Sequence, residues 1–279
     1  MSKDIGKSRL KFGLLTSPVE AVLPQIGMFK KLGFDYVEVG MEEPAATPRI
    51  LMDQKNEIIT ALAVNAMSAL GHTAYWVGFG SSHEKVRQGW VMEGKEMVRA
   101  ASELGISLLN FHFYSRFGTV GVTERWRETF MRNFTNSMRE LAQFAAQRGI
   151  GLMLENVPPE NGHPLESLTY FSQVMSAVPA LKFHFDVAHA FIENRMKGVK
   201  EYLETFNGRL AHIHMHDNHG KRDEHLPLGE GKIDLRKVVR LLKDYQYNRT
   251  VTFEVFTSLP DAVHSRRRFE KIWEQTKNP

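Results

Sequence analysis

A chain of 279 residues, 42% hydrophobic and 24% charged, has the composition of a globular protein and excludes a disordered or fibrous one. Lysine and arginine exceed aspartate and glutamate by only 36 to 32, a bias that fits an anionic small molecule as readily as nucleic acid. There is no cysteine, which removes disulfides, thiolate metal sites and cysteine nucleophiles, so any metal must sit on nitrogen and oxygen.

The opening Met1-Ser2-Lys3-Asp4 leads into a polar stretch without an apolar signal region. No run of about 18 apolar residues occurs, so a cytoplasmic location without a membrane partner is expected. Short β-rich runs then alternate with longer stretches of helical periodicity, with strands predicted to begin near Leu10, Tyr36, Ala66, Ser107, Gly151, Leu181, Leu210 and Thr250. Ser81-Ser82-His83-Glu84 reads as a capping box opening the third helix, and Asp234 as the cap of the seventh. Trp126, Phe130, Phe134, Met138, Leu141 and Ala145 form the buried stripe of another helix. Gly33, Gly105, Gly149 and Gly208 each end a helical run where a left-handed cap favours glycine. No linker or composition break divides the chain. An open doubly wound sheet competes, but eight pairs with reactive side chains at many strand ends favour a single (β/α)8 TIM barrel over residues 1–279.

The polar residues at those strand ends are His72, His112, Glu155, Asp186, His189, His214 and Glu254, with Asp223 and His225 in the loop after strand seven. In a closed barrel these points converge on one mouth. One such residue alone is usually a satisfied structural group; nine on neighbouring strand ends and one loop make a metal-ligand set. Imidazole with carboxylate suits Zn, Mn, Fe or Co, with Zn and Mn leading. His212, His214 and His216 alternate and face one side of their strand, so spacing does not choose between them.

The segments "LMLENVP", "HFDVAHA", "IHMHDNHGKRDEHLPLGEGKID" and "TFEVF", in this order, resemble the xylose-isomerase-like barrel superfamily, which holds sugar isomerases and epimerases and the endonuclease IV group. In the epimerase branch the resemblance implies one divalent metal on Glu155, Asp186, His214 and Glu254. The two glutamates also move protons through a metal-stabilised enediolate, and His189 contacts substrate. In the endonuclease branch it implies further metal positions at His72, His112, His189, Asp223 and His225, up to three zinc ions. Endonuclease relatives carry a cysteine inside Asp186-Val187-Ala188-His189 and a DNA-probing loop after strand two, where this chain has Glu42 and Glu43, which repel phosphate. Tyr75 matches a DNA-inserting position but reads at least as well as an apolar pocket wall beside Trp76, itself a candidate substrate contact. The arginine of the epimerases six residues past His214 is Gly220 here, with Arg222 as its substitute.

A sugar or sugar-phosphate isomerase or epimerase ranks first, with an endonuclease IV-like phosphodiesterase as alternative and a non-catalytic metal- or sugar-binding barrel third. The expected partners are a small sugar or sugar phosphate, DNA only under the alternative, and a second copy of the chain if it is a homo-oligomer. Lys221, Arg222 and Lys232 flank the site loop as phosphate candidates, Arg266-Arg267-Arg268 is a solvated helix face, and Gly229-Glu230-Gly231 is a tight turn.

Overall fold

The computed structural model describes residues 10–115, 123–158 and 167–277. Eight parallel strands close into a barrel in chain order: β1 (Lys11–Leu15), β2 (Tyr36–Met41), β3 (Ser68–Thr73), β4 (Leu108–His112), β5 (Gly151–Glu155), β6 (Lys182–Asp186), β7 (Leu210–Met215) and β8 (Thr250–Phe253). Closure is made by β1 against β8, Lys11 pairing with Thr250 and Leu14 with Phe253. Each strand starts within about two residues of its expected position, because continuous apolar runs are what a sheet buried on both faces requires.

The helices form the outer ring. They are α1 (Val22–Lys31), α2 (Pro48–Asp53), α3 (Lys55–Val64), α4 (Glu84–Glu103), α5 (Glu124–Ala146), α6 (Leu168–Ala177), α7 (Val187–Phe206), α8 (Leu235–Asp244) and α9 (Leu259–Gln275). Two helices follow β2, so the eight-pair expectation is one helix short among the described residues. Helix α5 buries its stripe as expected, with Trp126 only partly covered. Asp234 caps α8 by accepting from Lys237 N at 3.1 Å.

Two expectations fail. The capping box is absent: α4 begins at Glu84 itself, with His83 at the cap and no side-chain capping bond. Placed in the first turn, Glu84 pairs forward with Arg87 (2.6 Å) instead of reaching back to the cap. Gly208 is not a left-handed cap, because the chain tightens into a 3-10 turn over Asn207–Arg209 before β7. Gly33, Gly105 and Gly149 do have positive φ of 86°, 71° and 70°.

Strand alternation sorts the barrel. In β6, Phe183 and Phe185 face outward onto Tyr202 and Phe206 of α7, which turns His184 and Asp186 inward. In β7, the same rule sends His212 and His214 to the interior, and His216, one residue past the strand, continues the alternation. The interior is therefore not filled by branched apolar residues alone, as barrels commonly are. Glu38, Asn110, His184, His212 and Thr252 are all fully buried polar groups within it.

Candidate metal and active site

The depth along β7 separates its three histidines. His212 lies deepest, with Nδ1 2.8 Å from Thr250 Oγ1 and Nε2 3.0 Å from Glu38 Oε2. His214 comes next, its Nε2 also 3.0 Å from Glu38 Oε2. Its other nitrogen, Nδ1, has no hydrogen-bond partner and lies 3.3 Å from Glu254 Oε2 and 3.9 Å from Glu155 Oε1. His216, at the strand's end, places Nε2 3.1 Å from Asp186 Oδ2 and 3.7 Å from Asp223 Oδ1.

Asp186 ends β6 and also caps α7, its Oδ1 accepting from His189 N at 2.7 Å. Asn156, one residue past β5, binds the Asp186 backbone at both N and O (3.0 and 2.9 Å), locking the ends of β5 and β6 together. The ligand atoms of Glu155, Asp186 and His189 all lie within 4.8 Å of one another. Glu155 thus joins Asp186 and His189 to His214, which faces Glu254, at the barrel mouth.

Two further groups adjoin it. His72 and His112 bring their Nε2 atoms within 3.2 Å of each other and within 3.6 and 3.2 Å of Glu155 Oε2. On the other side, His189 and His225 point Nε2 at Asp223 Oδ2, at 3.1 and 3.0 Å. Their Nδ1 atoms donate to the backbone carbonyls of Asn156 (2.8 Å) and Glu254 (2.9 Å), so Nε2 is the nitrogen that faces the Asp223 carboxylate and that would bind a cation once it gives up its proton. His216 completes this second group. A metal with bonds of about 2.0–2.1 Å separates its tetrahedral ligands by roughly 3.3 Å. The observed spacings of 3.0–3.9 Å bracket that value, and His214 Nδ1, without a hydrogen-bond partner, is aimed between two carboxylates, where it can give its lone pair to a cation once its proton leaves. The residues therefore fit a divalent cation.

The electrostatics follow from burial against pairing. Burial would raise the Glu38 and Glu155 carboxyls, but the histidines around them hold both well below the usual carboxylate range. Burial likewise opposes the ionised form of Glu254, yet His214 and His225 bring it down to about 2. Burial would lower His214, but Glu38 and Glu254 raise it well above an ordinary histidine. His225 rises to about 9 against its own burial, through Glu254 and Asp223. Without a cation, protons hold this cluster together.

The remaining candidates divide. Trp76 is 41% exposed at the rim, its indole N–H donating to Glu42 Oε1 (2.9 Å). With Met41, Glu43 and Trp90 it lines a cavity of about 450 Å³ beside the ends of β2 and β3. Tyr75 is also exposed and stands edge-on to Tyr114. Arg222 is exposed on the β7–α8 loop. The guanidinium that meets this loop is Arg195, which donates to the carbonyls of His219 and Gly220 from a break in α7 where its own φ is +54°.

Sequence reasoning passed over Glu38, Asn110, His184 and Asp217. Asn110 Nδ2 donates to Glu155 Oε2 at 2.5 Å. Asp217 organises the site loop, its Oδ1 accepting from Asn218 N (2.9 Å) and Ile233 N (3.1 Å) and its Oδ2 from Gly229 N (2.8 Å). The turn expected at Gly229-Glu230-Gly231 is present: Gly229 has φ +93°, and a Cβ on Gly231 would fall 2.2 Å from Asp217 Oδ1.

A model of the xylose isomerase-like TIM-barrel family matches residues 27–272. The chain belongs to that family. Among its relatives, the probable endonuclease 4 of Aquifex aeolicus is 24% identical over 91% of both chains. The L-ribulose 3-epimerase of a Methylomonas species is 26% identical over 82% of this chain and 76% of its own. The chain spans 66% of the length of the Methanocaldococcus jannaschii protein MJ1311, at 27% identity. A solved D-tagatose 3-epimerase-like protein superposes with a TM-score of 0.80 at 22% identity, covering 95% of this chain and 97% of that one. Family members of both kinds therefore share the barrel, and the side chains at its mouth must decide between them. Among the described residues, no helix is long and apolar enough to cross a membrane.

Proposed function

We propose that this family member is a divalent-metal-dependent isomerase or epimerase of a small ketose or ketose phosphate. The observation that carries the reading is His214 Nδ1, unpartnered and facing Glu254 at 3.3 Å and Glu155 at 3.9 Å. Glu155, Asp186, His214 and Glu254 would hold the cation, with Zn or Mn favoured by the imidazole and Co or Fe also compatible. When bound, the metal supplies polarisation of neighbouring substrate oxygens and stabilises the charge of an enediolate.

The chain's own residues do the rest. Epimerisation beside a carbonyl needs one group to remove a proton and another to return one on the opposite face, and Glu155 and Glu254 supply the two carboxylates. His189 would donate to a substrate hydroxyl, and Trp76 would wall the entrance. Arg195, in contact with the loop, is better placed than Arg222 to steady that loop over a bound sugar. The epimerase relative, similar over most of both chains, supports this reading.

The reading is tested by stripping the protein with chelator, restoring Mn, Co, Zn or Ca singly, and assaying a panel of free and phosphorylated ketoses. Mn, Co or Zn should restore turnover and Ca should not. Undiminished turnover after exhaustive chelation would overturn it.

One observation favours a second reading. The His72, His112, Glu155 set and the His189, His216, Asp223, His225 set offer two more cation positions, as an endonuclease IV-like phosphodiesterase with up to three zinc ions would need. The similarity to the Aquifex protein supports it too. Incision of an abasic duplex with three metals per chain would favour this reading over the first.

A further inference from the structure

His184 is fully buried in the barrel interior, two residues before Asp186, and its backbone pairs with Glu155. Its ring stands edge-on to His214, with centroids 4.1 Å apart and planes at 84°, and 4.6 Å from His212. Neither ring nitrogen makes a hydrogen bond. Packing does not require an imidazole here, since an apolar side chain would fill the space without leaving two polar atoms unpaired. Nδ1 nonetheless lies 3.3 Å from Glu155 Oε2. An imidazole carries at least one N–H, and Nδ1 is the ring nitrogen that faces a carboxylate.

Glu155 divides its two oxygens. Oε2 accepts from Asn110 at 2.5 Å and faces His112, His184 and His72 at 3.2, 3.3 and 3.6 Å, while Oε1 lies 3.6 Å from His189 Nδ1 and 3.9 Å from His214 Nδ1. We propose that His184 is a positioning residue of the metal centre, holding Glu155 Oε2 from within the barrel through Nδ1 and backing the His214 ring, so that Oε1 stays directed at the cation. The proposal rests on the reading of Glu155 and His214 as metal ligands. It gives the unpaired nitrogen a purpose: at 3.3 Å, Nδ1 steadies one oxygen of a carboxylate whose other oxygen would serve a metal.

Three substitutions separate this role from packing. His184→Leu keeps most of the volume and removes the donor, His184→Asn keeps an amide N–H near the Nδ1 position, and His184→Gln moves that N–H to the Nε2 position. Metal affinity is read by competition against a chromophoric chelator, with circular dichroism to check folding and ketose kinetics alongside. Removing a partner that orients a metal ligand costs about ten- to a hundredfold in affinity or activity. His184→Leu is expected to lose at least tenfold in affinity and to lower kcat with KM unchanged, His184→Asn to recover most of both, and His184→Gln to recover neither. Parent-like affinity in His184→Leu, or equal recovery by Gln and Asn, overturns the proposal. Should the Leu variant not fold, the Asn and Gln pair decides alone. Because affinity is measured without sugar, a parent that binds metal but turns over no ketose would sink the proposed function and leave the affinity series to judge His184.

Discussion

Glu38 Oε2 lies 3.0 Å from His214 Nε2, a contact between two fully buried side chains on β2 and β7. The same oxygen meets His212 Nε2 at 3.0 Å and Thr252 Oγ1 at 2.5 Å, and Thr252 in turn bonds the Tyr36 hydroxyl at 2.8 Å. A carboxylate on one nitrogen of an imidazole keeps a proton there, so the nitrogen turned to the barrel mouth is the one that gives up its proton and offers its lone pair when a cation binds. Glu38→Gln preserves the volume and removes the charge. Its affinity for Mn or Zn should fall about ten- to a hundredfold, measured by chelator competition, and a parent-like value would show that Glu38 does not tune His214.

The raised protonation of His214 makes metal binding depend on pH in a stated direction. Its folded value lies well above an ordinary histidine in the metal-free chain, so at neutral pH the ring is charged. A cation needs the lone pair on Nδ1, so loading must expel that proton, and affinity should climb with pH until the raised value is passed. Calorimetric titration in two buffers of different ionisation enthalpy should report release of about one proton or more per ion. No buffer dependence would mean that His214 is neutral before the metal arrives or is not a ligand.

Asp217 carries a prediction on stability instead of chemistry. Its buried carboxylate satisfies three backbone N–H groups, of Asn218, Gly229 and Ile233. Asp217→Ala would leave those donors without their charged acceptor and should cost about 3–5 kcal/mol of unfolding free energy, since hydrogen bonds to a buried charge contribute roughly 1.5–3 kcal/mol each and are not additive. Urea denaturation checks the value. A loss under about 1 kcal/mol would mean that the loop re-forms its bonds with water.

The convergence of strand ends was legible in the sequence because acids and histidines stood at the ends of apolar runs, where a closed barrel gathers them. What lay inside was not. Glu38 sits mid-strand in "YVEVGM", a pattern that equally describes a strand with one polar face, and its partner His214 is 176 residues away. Asn110 and His184 are hidden for the same reason: their value lies in contact with Glu155, which only the register of β4, β5 and β6 creates. His216 was visible as one of three alternating histidines, but only depth assigns it to Asp186 and Asp223 and leaves His214 to the two glutamates. The break in α7 that delivers Arg195 to the site loop falls at Asn194 and Arg195, and its local signal is Gly198 just beyond, where a Cβ would fall 2.5 Å from Ala190 O.

In the proposed reaction Glu155 and Glu254 exchange a substrate proton beside a bound cation, one removing it and the other returning one. Proton magnetic resonance of a ketose incubated with the Mn- or Zn-loaded protein in deuterated water tests it most directly, with Glu155→Gln and Glu254→Gln run beside the parent. The account predicts deuterium entering at the carbon next to the carbonyl with the parent, none after chelation, and at least a hundredfold slower entry with either variant, a barrier increase of about 2.7 kcal/mol or more. Exchange that persists within about tenfold of the parent in either correctly folded variant would contradict the two-glutamate mechanism. Absence of exchange across free and phosphorylated ketoses with the fully loaded parent would contradict the epimerase reading itself.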